Sequence, residues 1–332
     1  MIVPPEILLT VVMPVYNGER YLNTAIDSIL IQTFTLFEFL IINDGSTDRS
    51  EEIIKSYSDP RISYIKNEKN KGLITTLNIG LARSKGKYIA RMDSDDVSLP
   101  NRLKVQLNYM LSHPQCKLCG TRAIVINEDG KPLYKIRRPT LNKEIKVRQL
   151  FKNSFIHPSV MLDAGVARRL KYSFNYEDAE DYYLFSQIVM DHQVANLKRS
   201  LIYYRVHPEN ITSKKQDGMN KSEIKTMHFL LSMLFEKEVS DEEASLHHAF
   251  LTRHFENINS DRIEAHLLKI KNANEKKQTY DPELLAAELQ NEWFNFLFFS
   301  KEKNALSTFI NSNLFSIKRF SFRQFIKLIG KN

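Results

Sequence analysis

The stretch Tyr88 to Asp96, YIARMDSDD, places two demands on the fold. Tyr88, Ile89, Ala90 and Met92 form a near-continuous apolar run, the pattern of a strand covered on both faces. Asp93, Asp95 and Asp96 then arrive within four positions, at the carboxyl end of that strand. In open α/β sheets ligands sit outside the carboxyl ends of strands. Three crowded carboxylates repel one another unless a cation or hydrogen-bond donors compensate them, and a divalent metal bridging to a phosphorylated ligand would do so. A solvated acidic turn leading into a helix is the alternative that this stretch alone leaves open.

The residues before it supply the rest of such a sheet. Leu8 to Pro14 reads as a central parallel strand ended by Pro14, with Tyr16, Asn17 and Gly18 in a turn. Tyr21, Leu22, Ala25, Ile26, Ile29 and Leu30 share one face of a helix over Glu19 to Gln32. A second strand, Phe37 to Ile42, runs into Asn43, Asp44 and Gly45, and Thr47 or Asp48 can cap a helix reaching Tyr57. A third strand, Ile62 to Ile65, and a helix from Gly72 to Ser84 complete the alternation, which specifies right-handed βαβ units and a parallel sheet. Tyr16 and Asn17, Asp44, and Asp93 with Asp95 would then meet on one rim. No G-x-G-x-x-G and no G-x-x-x-x-G-K-[ST] occurs, so bound phosphates would depend on a metal rather than on a glycine-rich backbone cradle.

Further on come a helix (Pro100 to His113), a strand (Leu118 to Ile126), a tight turn at Asp129-Gly130 and a strand over Leu133 to Arg138. A loop, NSFIHPSVM, precedes a helix at Ala164 to Leu170. Glu180 and Asp181 stand at the N-terminus of a helix over Tyr182 to Met190, where the helix dipole favours the ionised form. Val194 to Val206 is strand-like, and His207 follows it in an extended loop before Pro208. Composition shifts near Thr212 to Asn220, a linker, and everything beyond reads as helices. The expected division is 1–215 and 216–332.

The net charge of +8 suits an anionic partner without naming it. No apolar run approaches the roughly 18–20 residues of a membrane span. Met1 to Val12 lacks the basic start of a signal peptide. Cys116 and Cys119 form a lone C-x-x-C without the second pair that a structural zinc needs, consistent with a reducing cytoplasmic setting. The final segment, 314–331, groups Leu314, Phe315, Ile317, Phe322, Phe325, Ile326 and Ile329 opposite Arg319, Arg323, Lys327 and Lys331. This is the pattern of an interfacial helix on an anionic membrane, or of a terminal helix docked on its own domain with a basic outer face.

The motifs VVMPVYNGERYL, FLIINDGSTD, NKGLITTLNIGLARSKGKYIARMDSDDVSLPNRL and EDYYLF resemble the family 2 glycosyltransferases of GT-A fold, over roughly Leu8 to Ser213. The resemblance implies a Rossmann-like, mainly parallel α/β sheet flanked by helices, here followed by an all-helical C-terminal region. It implies an inverting transfer from a nucleotide-diphosphosugar, most often UDP-linked, with Mn2+ or Mg2+, to a glycan or lipid-linked acceptor in polysaccharide assembly. The transferred group would be a hexosyl or N-acetylhexosaminyl residue. By the same resemblance Pro14, Val15, Tyr16, Glu19 and Gly72 fall at the nucleotide-sugar site, and Asp44 where the base is read. Asp93-Ser94-Asp95 matches the DxD motif, with Asp95 the direct metal ligand and Asp93 near it. Asp181 matches the catalytic base and Glu180 its neighbour. His207 matches a metal- or diphosphate-binding histidine, and His157 an acceptor-side position.

The chemistry suits these roles. A sugar hydroxyl is a poor nucleophile, so a carboxylate must accept its proton during attack. The departing diphosphate gains charge that a cation offsets. A sugar-phosphate nucleotidyltransferase would carry a glycine-rich basic loop where this chain has PVYNGERY. A binding-only scaffold on the same fold would be free to lose Asp181. No basic-aromatic motif supports a nucleic-acid partner. The protein is expected in the cytoplasm, peripheral on the inner membrane face through 314–331.

Overall fold

The structure is a computed structural model that describes residues 7–208, 216–253, 258–300 and 302–330. The chain divides into two compact units. One comprises the N-terminal part through Ile145 together with Asn153–Gln216, and the other comprises Lys146–Lys152 together with the chain from Asp217 onward.

The first unit opens with β1 (Leu9–Val15), α1 (Leu22–Leu30), β2 (Glu38–Asn43), α2 (Ser50–Ser56), β3 (Ile62–Lys66), α3 (Leu73–Arg83) and β4 (Tyr88–Arg91). Every residue of β1, β2 and β4 is buried, as their unbroken apolar runs require. These strands pair in parallel in the order β3-β2-β1-β4. Successive strands are added on one side of β1 and then on the other, so their carboxyl ends open a crevice at this switch point. Alternate residues feed two core layers. Val11, Met13, Phe39, Ile41 and Ala90 pack with α1 on one face, and Val12, Leu40, Ile42 and Ile89 pack with α3 on the other.

Pro14 does not end β1, which continues to Val15 with Pro14 opposite Ile42. The Val15 carbonyl accepts from Asp44 N on the β2 side, and the Val12 carbonyl accepts from Met92 N on the β4 side. By alternation Pro14 faces the β4 side, beyond the last residue that β4 pairs there, Arg91 opposite Val12, so its missing N–H costs no ladder bond.

Beyond β4 lie β5 (Val97–Ser98), α4 (Arg102–Ser112), β6 (Cys116–Ile126), β7 (Pro132–Ile136), α5 (Asn142–Gln149), β8 (Met161–Asp163), α6 (Ala164–Leu170), α7 (Glu180–Asp191) and β9 (Gln193–Arg205). The sheet continues β4-β8-β6-β9-β5, with β7 on β6. β8 runs antiparallel to both β4 and β6, while β6 and β9 are parallel. β5 and β8 are too short to leave a periodic signal. β5 nevertheless pairs Val97 with Tyr203, which returns the end of β9 to the acidic loop.

The second unit contains α8 (Gln216–Phe235), α9 (Asp241–Leu251), α10 (Ser260–Lys277), α11 (Pro282–Phe299), α12 (Ala305–Asn311) and α13 (Phe322–Ile329). Of the expected linker, Thr212 to Lys215 lies outside the described residues, and Gln216 to Asn220 instead opens α8. Trp293, Phe296, Leu297 and Phe309 are fully buried, so the aromatic run of α11 is helical core. Residues 314–330 do not form one helix. A short 3-10 turn, Ile317–Arg319, precedes α13, which starts afresh at a capping box built by Ser321 and Gln324. The expected apolar side is therefore split. Of its members Leu314 is buried, whereas Ile317, Phe322, Ile326 and Ile329 are exposed, and the buried residue of α13 is Leu328, which was not among them. Lys331 lies outside the described residues. Among the described residues no helix is long and apolar enough to cross a membrane.

Candidate active site

Three loops meet at the carboxyl ends of β1, β2 and β4. The loop after β1 is zipped to the loop after β2. Asn17 N donates to Ser46 Oγ at 3.0 Å, Gly18 N to Ser50 Oγ at 2.9 Å, and Glu19 N to Asp48 Oδ2 at 3.0 Å. Glu19 is drawn into this zip, since its carboxylate accepts from Arg49 N at 2.9 Å. Asp48 also accepts from Ser50 N at 2.9 Å, but the N-cap of α2 is Arg49, so neither Thr47 nor Asp48 is the cap expected. Val15 is buried, and Tyr16 stays half exposed on the rim. Gly18 approaches Ser94, where a Cβ on the glycine would lie 3.2 Å from Ser94 Oγ.

Asp44 is buried and saturated with donors. Asn67 Nδ2 donates to it at 2.7 Å, and Lys71 N and Gly72 N each donate at 2.9 Å. Gly72 has a φ of +85°, accessible at little cost only to glycine. Asp44 therefore shapes the 67–72 loop and turns its backbone over the sheet edge.

The Asp93, Asp95 and Asp96 carboxylates each offer an oxygen within 4.8 Å of the others. Arg91 forms an ion pair with Asp93, and His207 Nε2 lies 3.0 Å from Asp95 Oδ2. Asp96 Oδ1 accepts from Arg205 N at 2.8 Å, while its buried Oδ2 has no hydrogen-bond partner. Burial raises the Asp93 and Asp96 pKa values, and repulsion from Asp95 adds to both, against the attraction of Arg91. The donor set thus fits a hard cation: clustered carboxylate oxygens, one of them buried and unpaired, with an imidazole alongside. Arg205 braces the group by donating Nε–H to Asp95 O at 2.8 Å and Nη1–H to Glu128 O at 3.0 Å. The Tyr21 ring packs between Arg205, 4.5 Å from its centroid, and His207, 5.1 Å between centroids. A cleft of about 480 Å³ opens beside His207, bordered by Glu128 and Asp129.

Under this loop lies a polar clamp. Arg102, fully buried on α4, donates Nη2–H to Arg91 O at 2.7 Å and Nε–H to Gln106 Oε1 at 3.0 Å. Gln106, one turn on, donates to Cys119 O at 2.7 Å and Ser159 O at 3.0 Å. The two side chains tie β4, β6 and the 157–159 turn together.

Glu180 and Asp181 form the first turn of α7. Asp181 Oδ2 accepts from Asn153 Nδ2 at 2.9 Å, and Oδ1 from Tyr182 N at 2.7 Å. Glu180 is buried, and burial together with the neighbouring Asp181 charge pushes its pKa up to about 8, so it keeps its proton at neutral pH. His157 lies against it, Nδ1 at 3.9 Å from Glu180 Oε1, with Nε2 3.0 Å from Tyr172 Oη. Burial, reinforced by Arg91, holds the His157 pKa well below its ordinary value, so the ring is neutral. Burial raises the Tyr172 phenol, Arg91 opposes it, and Glu180, Asp181 and Asp93 all add to it. The acidic loop and the α7 N-terminus therefore share one neighbourhood.

Sequence reasoning passed over Arg91, Arg102, Gln106, Asn153 and Arg205. A signal existed for three of them. Arg91 is a charge inside an apolar strand, and Arg102 with Gln106 is an i, i+4 polar pair on the inner face of a helix.

Comparison with known proteins agrees with this architecture. Residues 10–163 match the profile described as Glycosyl transferase family 2. The chain is 31% identical over 213 residues to the UDP-Glc:alpha-D-GlcNAc-diphosphoundecaprenol beta-1,3-glucosyltransferase WfgD of Escherichia coli, covering 63% of this chain and 81% of that one. Staphylococcus aureus TarS 1–349, solved with UDP-GlcNAc, superposes with a TM-score of 0.58 at 15% identity, covering 92% of this chain and 88% of that one. The mannosyltransferase PcManGT of Pyrobaculum calidifontis, solved with GDP-Man and Mn2+, gives 0.52 at 13% identity, covering 87% and 85%. The GT-A architecture with a helical C-terminal region, expected from the sequence motifs, is the fold found.

Proposed function

The chain belongs to glycosyl transferase family 2, and from that premise we propose that it moves a hexosyl or N-acetylhexosaminyl group, with inversion, from a UDP-sugar to an acceptor hydroxyl. The acceptor would be glycan or lipid-linked, as WfgD's name describes for that relative, and the role polysaccharide assembly. TarS with UDP-GlcNAc favours a uridine donor, while PcManGT with GDP-Man marks the base as the part most in need of test.

The observation that carries the reading is the pairing of two differently built acidic groups. Asp93, Asp95 and Asp96 are crowded and under-compensated, as a cation site would be. Asp181 instead receives two N–H donors that favour its charged form, as a base needs. Asp95, Asp93 and His207 would hold Mn2+ or Mg2+, which when bound supplies charge for the departing diphosphate. Pro14, Val15, Tyr16, Glu19 and Ser94 line the rim for the nucleotide sugar, with Asp44 and Gly72 shaping the wall beside the base. Asp181 accepts the acceptor's hydroxyl proton as oxygen attacks the sugar carbon, while protonated Glu180 adds no second charge beside it. His157, neutral and tied to Tyr172, sits on the acceptor side. The exposed apolar residues of α13, with Arg323 and Lys327, would rest on an anionic membrane, leaving the protein cytoplasmic and peripheral.

The test is metal-dependent UDP release from a panel of UDP-sugars, paired with calorimetry of UDP binding. Asp181→Asn should lose orders of magnitude in turnover and keep UDP affinity. Loss of UDP binding in that variant would reassign Asp181.

A further inference from the structure

The second half of α5 and the residues just after it belong to a different unit from the chain on either side. Lys146–Lys152 belongs to the helical unit, while Ile145 and Asn153 on either side belong to the sheet unit. Within the helical unit the segment is gripped at two points. Arg148 is ion-paired to Glu288 and lies 3.3 Å from Glu292 Oε1, both on α11. The Leu150 carbonyl lies 3.0 Å from His247 Nε2, and His247 Nδ1 lies 2.9 Å from His266 Nε2.

A carbonyl only accepts, so His247 Nε2 carries the hydrogen. Burial keeps His247 neutral, its pKa lowered to about 3, so Nδ1 accepts and His266 Nε2 donates. His266 Nδ1 then faces Glu243 at 3.6 Å, and Lys269 also pairs with Glu243. A directed chain of polar groups thus ends on one backbone carbonyl of the segment. Leu150 and Phe151 beside it are fully buried.

On the sheet side the segment's two ends are pinned to each other, Ser154 Oγ donating to Ile145 O at 3.3 Å, and Asn196 Nδ2 holds Ser154 O at 3.0 Å. Asn153 directly precedes the pinned Ser154. Its Oδ1 accepts from Phe155 N at 3.1 Å, which fixes the amide so that Nδ2 points its hydrogen at Asp181 Oδ2 at 2.9 Å.

We propose that Asn153 is a positioning residue for the base Asp181, its amide fixed by Phe155 N and its backbone by the bonds that hold Ser154 to Ile145 and Asn196. This rests on the assignment of Asp181 as base. A donor N–H stabilises the charged carboxylate, so removing it makes Asp181 harder to ionise. The carboxylate also loses the contact that sets its rotamer.

Two readouts on the full chain test this. UDP release from UDP-glucose and UDP-GlcNAc with Mn2+ gives kcat, and carboxyl 13C NMR, assigned with Asp181→Asn, follows the titration of Asp181 directly. Asn153→Ala should lower kcat at least tenfold, move the Asp181 titration up by about one pH unit, and leave UDP–Mn2+ affinity unchanged. An Asp181 titration unmoved in Asn153→Ala overturns the positioning role. If the wild-type chain turns over no donor, the transferase reading falls, and the NMR titration still decides whether Asn153 sets Asp181.

Discussion

Replacing Arg102 with Met tests whether the acidic loop stands on a built foundation. Arg102 is fully buried and donates to Arg91 O at 2.7 Å, Gln106 Oε1 at 3.0 Å and Val160 O at 3.3 Å. Exchanging a buried ion pair for apolar groups can be nearly neutral, because both charges leave together. Here the partners stay behind: Arg91 O and Gln106 Oε1 lose this donor, whereas Val160 O still accepts from Arg91 N at 3.0 Å. Each orphaned buried acceptor costs about 1–3 kcal/mol, and the two shorter bonds give a gross loss of roughly 2–6 kcal/mol. Some is returned, since burial of the guanidinium is itself costly and lowers its pKa to about 10. A net loss of roughly 2–4 kcal/mol remains. At about 2–4 °C per kcal/mol for a unit of this size, the melting midpoint should drop by roughly 5–15 °C. Arg102→Lys keeps the charge but not the fork, and should fall between. Thermal unfolding followed by circular dichroism is the assay. A midpoint for Arg102→Met within about 2 °C of wild type would refute the clamp as a source of stability.

Other consequences are equally checkable. Glu180→Gln mimics the protonated form that burial and Asp181 impose, with a pKa of about 8, so turnover at pH 7 should stay within a few-fold of wild type, unlike Asp181→Asn; a loss as deep as that variant's would show that Glu180 works ionised. His247 has a folded pKa of about 3 against an ordinary 6.5, so the unfolded chain alone takes up its proton as pH falls through 6.5, and stability should decline from there; Glu243, lowered to about 2 by His266 and Lys269, adds a further loss only below its ordinary 4.5. Melting midpoints at pH 7.5 and 5.5 should fall in wild type and fall less in His247→Gln, and an identical fall would rule out that histidine as the cause. Phe322→Ser with Ile326→Ser should cut binding to anionic vesicles at least tenfold with the melting midpoint unchanged, because both side chains point outward; equal binding would leave α13 without a membrane role. Point variants are needed here, since truncation before Leu314 would remove a buried side chain and the ring contact of Phe309 with Phe315.

Parallel strands buried on both faces write themselves as unbroken apolar runs, so β1, β2 and β4 were readable within a residue or two, as was the rim on which Tyr16, Asp44 and Asp95 gather. The sequence was less informative where a side chain's task depends on a distant backbone. Asp44 read as a ligand-facing acid, yet its visible work is to collect Asn67, Lys71 and Gly72. Glu19 is engaged with Arg49 N across a loop contact that no local pattern encodes. The tail failed for another reason. A helical wheel takes continuity for granted, and Ser321 with Gln324 breaks it by capping a new helix, so Leu314 and Phe322 no longer share a face.

The contrast between the two acidic groups follows from the same difference between local and distant information. Asp93, Asp95 and Asp96 are adjacent, so their mutual repulsion could be inferred before any fold was known. The surroundings of Asp181 could not, because one of its donors is an amide 28 residues earlier in the chain. Glu180 and Asp181 are neighbours of similar chemistry in one helical turn, yet burial leaves Glu180 protonated while Asn153 and the Tyr182 N–H favour a charged Asp181. Adjacent carboxylates with opposite protonation are what a site needs if only one is to accept a proton at neutral pH. That division of labour rests on packing around Glu180 and on the N–H donors at Asp181, and exchanging either should move catalysis more than exchanging any surface charge on this basic chain.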